Sequence, residues 1–226
     1  AQAAINHLAT GDEYQGGIIY FPQGRYKLDN CLLFEDVSSV TNYYVQGDGA
    51  INTELDFGTA APGTNGIQFE GGSLCGVEGV LVTSAPNHGI VINSTTLSYV
   101  SFARIKDVRV QFCGGDGLYS FQSYLITVEG LFATANTGNG INFAGNHTSL
   151  VSNVMYAANN GAIGIRINGA VYIDNNGQSD GNLRGWNFTK VRGGVVRGVG
   201  TETNEAEGVV IATSNSSASG ITGEYQ

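Results

Sequence analysis

One short pattern recurs along this chain at a nearly constant interval. A turn-forming or polar residue is followed by Gly, an apolar residue, a variable residue and a second apolar residue, as in Asn139–Phe143. The steps between successive first apolar positions are 23, 28, 23, 24, 21 and 23 residues, and those positions are Ile67, Ile90, Leu118, Ile141, Ile165, Trp186 and Val209. A fixed period of this length indicates a repeat architecture, in which stacked units share one core.

A second pattern places two apolar residues three positions apart within each repeat, as in Val77–Val80 and Ile105–Val108. The residue just before the second apolar position is turn-prone in four repeats, where it is Gly79, Asp107, Gly130 or Asn153. Gly, Asn and Asp tolerate a left-handed backbone. The chain is therefore predicted to turn a corner at these positions, with the flanking apolar residues pointing inward.

Three short strands and three bends in about 23 residues make one coil of a parallel β-helix. Stacked coils lie roughly 4.8 Å apart, so about seven coils form a rod on the order of 35 Å long. An antiparallel sandwich needs no fixed period, and the Leu and Asn pattern of a leucine-rich repeat is absent. The predicted fold class is therefore all-β, a parallel β-helix.

The whole chain, 1–226, is predicted to be a single domain. Residues 1–57 form an N-terminal cap and the first rungs, and residues 58–226 form about seven coils. Residues 2–9 place their apolar side chains on one helical face, which predicts a short capping helix. Two strands flank a turn at Pro22–Gly24. Terminal repeats normally need caps, and no capping segment follows Gly223, so we expect the chain to be part of a longer one.

Composition excludes several classes of function. The net charge is −9 with only 10 Lys and Arg residues, which disfavours nucleic acid as a partner. No apolar run approaches the roughly 20 residues that a membrane span needs. Three widely spaced cysteines, Cys31, Cys75 and Cys113, are neither a disulfide framework nor a metal site, so they are predicted to be buried apolar side chains. No cofactor and no metal are expected.

Residues 17–26, with the sequence GIIYFPQGRY, resemble the opening rung of the pectate-lyase-like β-helix superfamily. There, Gly-Gly and an alternating strand precede Phe-Pro-x-Gly-x-Tyr and a further strand. The resemblance implies a right-handed β-helix with a capping helix before this rung. The calcium-binding aspartates of pectate lyases have no counterpart in this chain.

Within that superfamily, the acidic, Lys-poor and Asn/Gly/Thr-rich composition looks most like a bacteriophage tailspike or depolymerase. That resemblance implies a homotrimer on the virion tail, or otherwise extracellular, that binds and cuts bacterial surface polysaccharide by hydrolysis or elimination. Two alternatives stay open. One is a monomeric secreted polysaccharide lyase or glycoside hydrolase of a microbe or fungus, and the other is a structural or adhesive β-helix without activity.

The variable residue of the repeated pattern points outward, because side chains alternate along a strand. This column is predicted to read Gln68, Val91, Tyr119, Asn142, Arg166, Asn187 and Val210. Its centre, Tyr119 to Asn187, combines an aromatic ring, two amides and a cation, which suits a sugar chain. Arg184 is added to the predicted substrate-binding residues because a lyase would use an Arg or Lys base near a uronate. Trp186 falls at an inward position and is predicted to lie in the core.

Carboxylates in the segments leading into these strands are the candidate catalytic residues. Segments 174–184 and 200–207 are predicted to be acidic loops, and their candidates are Asp174, Asp180 and Glu207. Asp116 lies in an equivalent loop several coils earlier. Glycoside hydrolysis uses two carboxylates roughly 5–5.5 Å or 6.5–9.5 Å apart. Neighbouring coils lie about 4.8 Å apart, so Asp180 and Glu207 are predicted to form a pair.

The strand after each corner is predicted to present an outward stripe, which reads Leu81, Arg109, Phe132 and Met155. An exposed apolar stripe on a long face usually marks an interface. This stripe is therefore predicted to mediate lateral trimerisation.

Overall fold

The computed structural model describes residues 16–35, 42–93, 100–145, 149–169, 171–189, 191, 193–197, 200–212 and 221–222. These residues form strands that all pair in parallel. In chain order the strands are β1 Gly17–Phe21, β2 Gly24–Lys27, β3 Leu32–Glu35, β4 Tyr43–Gly47, β5 Thr53–Asp56, β6 Ile67–Glu70, β7 Gly76–Glu78, β8 Leu81–Thr83, β9 Ile90–Asn93, β10 Arg104–Gln111, β11 Leu118–Phe121, β12 Ile126–Thr134, β13 Ile141–Ala144, β14 Ser149–Ala158, β15 Ile163–Asn168, β16 Val171–Asn175, β17 Gln178–Asp180, β18 Arg184–Thr189, β19 Gly193–Arg197, β20 Gly200–Glu202, β21 Val209–Ala212 and β22 Ile221–Thr222.

The strands stack into two sheets, and the fold is a parallel β-helix of about seven turns, as predicted. The eight-stranded sheet contains β3, β6, β9, β11, β13, β15, β18 and β21 in spatial order. The second sheet has 14 strands in two limbs. Its first limb includes β1, β4, β7, β16, β19 and β22, and its second limb includes β2, β5, β8, β17 and β20. The long strands β10, β12 and β14 run around the corner between the limbs and belong to both.

The repeated pattern of the sequence is the eight-stranded sheet. Ile67 pairs with Ile90, and each later first apolar position pairs in turn with the next, through Leu118, Ile141, Ile165 and Trp186 to Val209. All seven positions are therefore in register, which confirms the predicted coil period. Leu32 adds an eighth position before Ile67.

The coil from Ile90 to Leu118 is five residues longer than the coil that follows it, and the extra length falls between two paired positions. Asn93 pairs with Phe121, and Ser101 forms a bridge to Tyr124. Seven residues separate Asn93 from Ser101, and two separate Phe121 from Tyr124, so the extra five residues lie between Asn93 and Ser101. This difference accounts for the step of 28 residues against 23, and the register is the same on both sides of it.

Inward side chains from the coils build one continuous apolar core. Ile67, Ile90 and Ile141 are fully buried, and the Phe34 and Phe69 rings stack with centroids 4.8 Å apart. Burying each such side chain contributes about 1.5–3 kcal/mol. Trp186 is also fully buried, which confirms its predicted core position, and its ring stacks on Phe188.

The opening rung matches the expectation for residues 16–28. β1 and β2 flank Pro22, and the Tyr26 hydroxyl donates to the Pro22 carbonyl at 2.9 Å. The Tyr26 ring also packs edge-on against Phe21. The capping helix predicted for residues 2–9 lies outside the described residues.

Three of the four predicted left-handed corners are confirmed. Gly79, Asp107 and Gly130 have φ values of 66°, 47° and 71°. The fourth prediction, Asn153, was wrong, because the left-handed residue of that coil is Val154 with φ of 62°.

This shift by one residue also corrects the predicted outward stripe. Met155 is fully buried, whereas Tyr156 pairs with Phe132 at the outward position. The spacing to the next corner explains the difference. In each of these coils, the first inward residue after the left-handed corner is followed, five residues later, by the residue at the next corner. Leu131 precedes Asn136 in this way, and Met155 precedes Asn160.

That next corner is held by a stack of side chains, which we call the asparagine ladder: Asn136, Asn160, Asn182 and Asn204. The first three are buried, and Asn204 is half-buried. Each side-chain oxygen accepts the backbone N–H of the equivalent residue one coil earlier, at 2.8–3.1 Å. The Nδ2 groups donate to buried carbonyls, as from Asn160 to Ala133 at 3.1 Å. The ladder therefore satisfies backbone groups that a tight buried corner would otherwise leave unpaired.

The three cysteines are free. Cys75 and Cys113 are buried, as predicted, and Cys31 is half-buried. Burial raises the pKa of Cys75 to about 12 and that of Cys113 to about 11, so both thiols are protonated at neutral pH. Across the described ranges, no helix is long and apolar enough to cross a membrane.

The asparagine ladder provides a first prediction. Asn160→Ala leaves the buried N–H of Asn136 and the carbonyl of Ala133 without their partners, so the free energy of unfolding should fall by about 2–3 kcal/mol in chemical denaturation. Cys113→Ala is the matched control, because Cys113 occupies the same corner one coil before Asn136 and its thiol donates only to the Gln111 carbonyl at 3.6 Å. Equal losses in the two variants would show that the side-chain bonds of the ladder contribute nothing.

The left-handed corner at Val154 provides a second prediction. A β-branched residue at positive φ costs about 1–2 kcal/mol, so Val154→Gly should raise the free energy of unfolding by roughly 0.5–1 kcal/mol after the entropic cost of glycine. Asn153→Gly, one residue earlier, should lower it by roughly 0.5–1 kcal/mol. The opposite order in thermal or urea unfolding would contradict the register described here.

Candidate functional site

The outward column predicted on the eight-stranded sheet is present. Its central members are neighbours in register, because Tyr119 pairs with Asn142, Asn142 with Arg166, and Arg166 with Asn187. Tyr119, Arg166 and Asn187 are half-buried, whereas Asn142 is buried. The structure therefore brings four of the five predicted substrate-binding residues together on one face.

The residues just before the turn glycines form a second ladder, which we call the pre-glycine ladder: Asn65, His88, Asp116, Asn139 and Ile163. Each of the first four side chains accepts the backbone N–H of the next member, at 3.1, 2.9, 2.7 and 3.1 Å in order. Its acceptors are an amide oxygen, an imidazole nitrogen, a carboxylate oxygen and an amide oxygen. The ladder ends at Ile163, whose side chain has no acceptor.

Asp116 is the most constrained carboxylate of this region and is only 6% exposed. Its Oδ1 accepts the N–H of Asn139 at 2.7 Å and the Nδ2 of Asn139 at 2.9 Å. Its Oδ2 accepts the Nδ2 of Asn142 at 2.7 Å. Both oxygens therefore hold neighbouring side chains in place, and Asp116 is a positioning group in this arrangement.

His88 is fixed in one tautomer by the pre-glycine ladder. Its Nδ1 accepts the backbone N–H of Asp116, so the proton of the neutral ring resides on Nε2. The ring stacks on Tyr119, with centroids 4.9 Å apart and planes 15° apart. Burial lowers the pKa of His88, and the nearby Asp116 carboxylate partly opposes this effect. His88 is thus a neutral hydrogen-bond donor at Nε2 beside the outward column.

The side-chain amide of Asn142 is satisfied on one side only. Its Nδ2 donates to Asp116, whereas its buried Oδ1 has no hydrogen-bond partner among the residues that the structure describes. Asn142 is 4% exposed, so the orphaned acceptor lies under the surface of the column. An unpaired buried acceptor is unusual in a folded protein and is costly to keep.

The cations near the column differ in what they contact. Arg184, the fifth predicted substrate-binding residue, forms an ion pair with Glu207, with 2.8 Å between Nε and Oε2. Arg166 forms no ion pair or hydrogen bond within the described part of the chain. The Asn187 Oδ1 accepts the Thr189 hydroxyl at 2.8 Å, and its Nδ2 forms no hydrogen bond within the described ranges.

The two predicted acidic loops contain short strand segments, which include the end of β16, all of β17 and all of β20. Asp174 lies in β16 and pairs at the backbone with Ser152, and Asp180 ends β17. The register partner of Asp180 is Glu202 rather than Glu207, and the Glu202 N–H donates to Asp180 Oδ1 at 3.1 Å. The predicted juxtaposition of Asp180 with Glu207 therefore does not match the register of the coils.

The candidate carboxylates fall on three parts of the coil, and Asp174 lies on the first limb of the 14-stranded sheet. Asp180 and Glu202 lie on the second limb of the 14-stranded sheet, whereas Asp116 and Glu207 precede strands of the eight-stranded sheet. Four coil steps separate Asp116 from Glu207, which is about 19 Å. Among the described residues, no group of three His, Cys, Asp or Glu side chains has the arrangement of a metal site.

Sequence reasoning missed both ladders, although each left a signal. Asn65, His88 and Asn139 were interpreted only as turn formers and Asp116 as a candidate catalytic residue, yet each carries a side-chain acceptor directly before a glycine. Members of the asparagine ladder precede the glycine of the same repeated pattern by three or four residues, as Asn136 precedes Gly140.

Comparison with known proteins identifies the fold. No protein-family model matches the chain, and no curated protein is similar to it in sequence. Among solved structures, ORF18 of Geobacillus virus E2 superposes with a TM-score of 0.63 at 18% identity, over 92% of this chain and 55% of the viral one. The A-module of the mannuronan C-5 epimerase AlgE6 of Azotobacter vinelandii superposes with a TM-score of 0.65 at 15% identity, over 93% of this chain and 67% of the other.

At these identities the likeness is one of fold. This chain thus shares its parallel β-helix with a viral protein and with an enzyme named for acting on mannuronan. It spans about half the length of the viral protein.

The pre-glycine ladder provides a third prediction. Because the pKa of His88 in the folded protein lies below the ordinary value of 6.5, the unfolded chain binds a proton more readily. The contribution of His88 to stability is therefore complete above pH 6.5 and is lost as the pH falls from there towards the folded-state pKa. His88→Asn keeps a ladder acceptor, as Asn65 and Asn139 show, but cannot titrate.

The stability of His88→Asn should therefore fall less than that of the unaltered protein between about pH 7.5 and about pH 5.5. Urea unfolding at both pH values measures the difference, and all other titrating groups are common to the two proteins. Parallel losses in the two proteins would contradict a neutral, ladder-bound His88.

Proposed function

We propose that this protein binds an extended polysaccharide along the outer face of the eight-stranded sheet. The observation that supports this proposal is the register of the outward column. Tyr119, Asn142, Arg166 and Asn187 stand on four successive coils, at a spacing of about 4.8 Å. A polymer lying across the coils meets a new polar side chain at each step.

The chemistry of the column suits sugars. Arg166 and the Asn187 amide offer N–H donors, and His88 adds a fixed donor at Nε2 beside Tyr119. One face of the half-buried Tyr119 ring is covered by His88. Fixed polar groups on a rigid sheet bind at a small entropic cost, because they are ordered before the ligand arrives.

The glycan we propose is a bacterial surface polysaccharide, and the protein we propose is part of a viral tailspike. The shared fold with a viral protein and the acidic, Lys-poor composition support this role. A tailspike acts as a homotrimer at the virion tail, outside the host cell. Leu81 and Phe132 on the second limb are the proposed lateral contacts, and Tyr156 takes the position predicted for Met155.

For cleavage, we propose a carboxylate pair on the second limb. Asp180 and Glu202 are equivalent positions on adjacent coils, and that separation of about 4.8 Å is close to the roughly 5–5.5 Å of retaining glycosidases. Gln178 donates to Asp180 Oδ2 at 3.0 Å, which orients this carboxylate. Asp116, Asp174 and Glu207 stay as further candidates.

The fourth prediction compares two arginine variants of equal chemistry. Arg166→Gln removes a cation from the outward column and should weaken glycan binding about 10-fold or more, because hydrogen bonds to charged groups are the stronger ones. Arg104→Gln is the control, since Arg104 pairs with Gly76 of the first limb and forms an ion pair with Glu129, with 2.8 Å between Nη2 and Oε2. Calorimetric titration with a panel of bacterial surface polysaccharides gives the dissociation constants.

The same samples should be examined for native mass by light scattering and for shortening of the glycan. If both variants weakened glycan binding equally, or if neither weakened it, the proposed binding face would be wrong. A monomer that shortens plant or fungal glucans would replace the tailspike role by a secreted enzyme. A trimer that binds without shortening would leave an adhesive protein.

A further inference from the structure

We propose that Asn142 accepts a hydrogen bond from an unsubstituted hydroxyl of the bound glycan, and that Asp116 sets this specificity by fixing the orientation of the Asn142 amide. This inference rests on the proposed function of the outward column. The observation behind it is the buried Asn142 Oδ1, which has no partner in the described parts of the chain.

The orientation of the Asn142 amide follows from the chemistry of its neighbour. A carboxylate oxygen only accepts hydrogen bonds, so the group that faces Asp116 Oδ2 at 2.7 Å has to be the Nδ2 of Asn142. The planar amide then directs Oδ1 away from Asp116. Asp116 itself is held by the N–H and the Nδ2 of Asn139, so it cannot turn away.

The unpaired Asn142 Oδ1 determines which kind of ligand group can bind to it. Only an O–H or N–H donor satisfies a carbonyl oxygen, and a ligand without one leaves the acceptor buried and unpaired. A site built around a hydrogen bond discriminates strongly against ligands that lack the matching group. Arg166, the next residue of the column, holds no hydrogen bond within the described chain, so a ligand can displace its side chain without breaking one.

Sugar hydroxyls are the donors that a polysaccharide offers in greatest number, and esterification removes them. An O-acetyl group carries only acceptors and is bulkier than a hydroxyl. The expected ligand class is therefore a glycan whose hydroxyl at this position is free. The same glycan acetylated at that position should bind more weakly.

Asp116→Asn is the decisive variant, because it should turn the Asn142 amide around and exchange the positions of its oxygen and its nitrogen. To keep the pre-glycine ladder, the new amide must direct its oxygen at the N–H of Asn139, which places its NH₂ group where Oδ2 was. Asn142 must then turn its oxygen towards residue 116, so its Nδ2 takes the place of the orphaned acceptor. The site changes from an acceptor to a donor without any change in the residues that line it.

The experiment measures the dissociation constants of polysaccharides in free-hydroxyl and chemically O-acetylated forms, beginning with mannuronan and dextran. The unaltered protein should prefer the free form by about 10- to 100-fold. Asp116→Asn should abolish or invert this ratio, and Asn142→Ala should bring it near 1. Arg104→Gln on the first limb should leave the ratio unchanged.

The possible outcomes distinguish a failure of this inference from a failure of the proposed function. A preference that survives in both Asp116→Asn and Asn142→Ala, or equal binding of both forms by the unaltered protein, overturns this inference and leaves the proposed binding face intact. Binding of no glycan in either form overturns the proposed function as well. Cooperative thermal unfolding checks that Asp116→Asn folds, and if it does not, Asn142→Ala alone decides. NOEs from the Asn142 side-chain amide protons, which should move away from residue 116 in Asp116→Asn, give an independent readout of the amide reversal.

Discussion

The fold depends on hydrogen bonds that run from each coil to the next. Backbone groups supply most of them, also at corner positions such as Ala135, whose N–H donates to the Ala158 carbonyl at 3.0 Å. At two corners, side chains supply further bonds from coil to coil. The asparagine ladder does this at a buried corner, where water cannot satisfy the peptide groups. The pre-glycine ladder does the same at the entrance to the eight-stranded sheet. Together the two ladders fix the register of each coil relative to its neighbours. The side chains of the outward column are aligned because the coils are held in this register.

The alignment of the coils was predictable because apolar residues recur in the sequence once per coil. The seven first apolar positions are in register, and Trp186 is core because its place in the pattern is an inward one. Errors arose where the pattern was ambiguous by one residue. Val151 and Val154 matched the apolar pair of the other coils, yet the five-residue distance to Asn160 makes Met155 the inward residue and leaves Val154 at the corner. A side-chain ladder outweighed local backbone preference there.

The candidate site was predictable only as a column. Alternation along the strands places Tyr119, Asn142, Arg166 and Asn187 on the outer face, and the structure agrees. The pairing of the carboxylates was not predictable, because it depends on where each coil bends. Segment 174–184 contains two strand segments rather than one loop, so Asp180 meets Glu202. The role of His88 depends on a contact with a residue 28 positions later, which no local pattern encodes.

The 28-residue coil from Ile90 to Leu118 shows what this construction permits. Five extra residues between Asn93 and Ser101 leave the strands on both sides in register. Length at that corner is thus independent of the alignment of the faces, because the hydrogen bonds resume on either side. Such a chain can acquire or lose a loop at one rim without altering the spacing of the polar groups on the adjoining sheet. The rim can therefore change in length while the sheet changes only in the identity of its side chains.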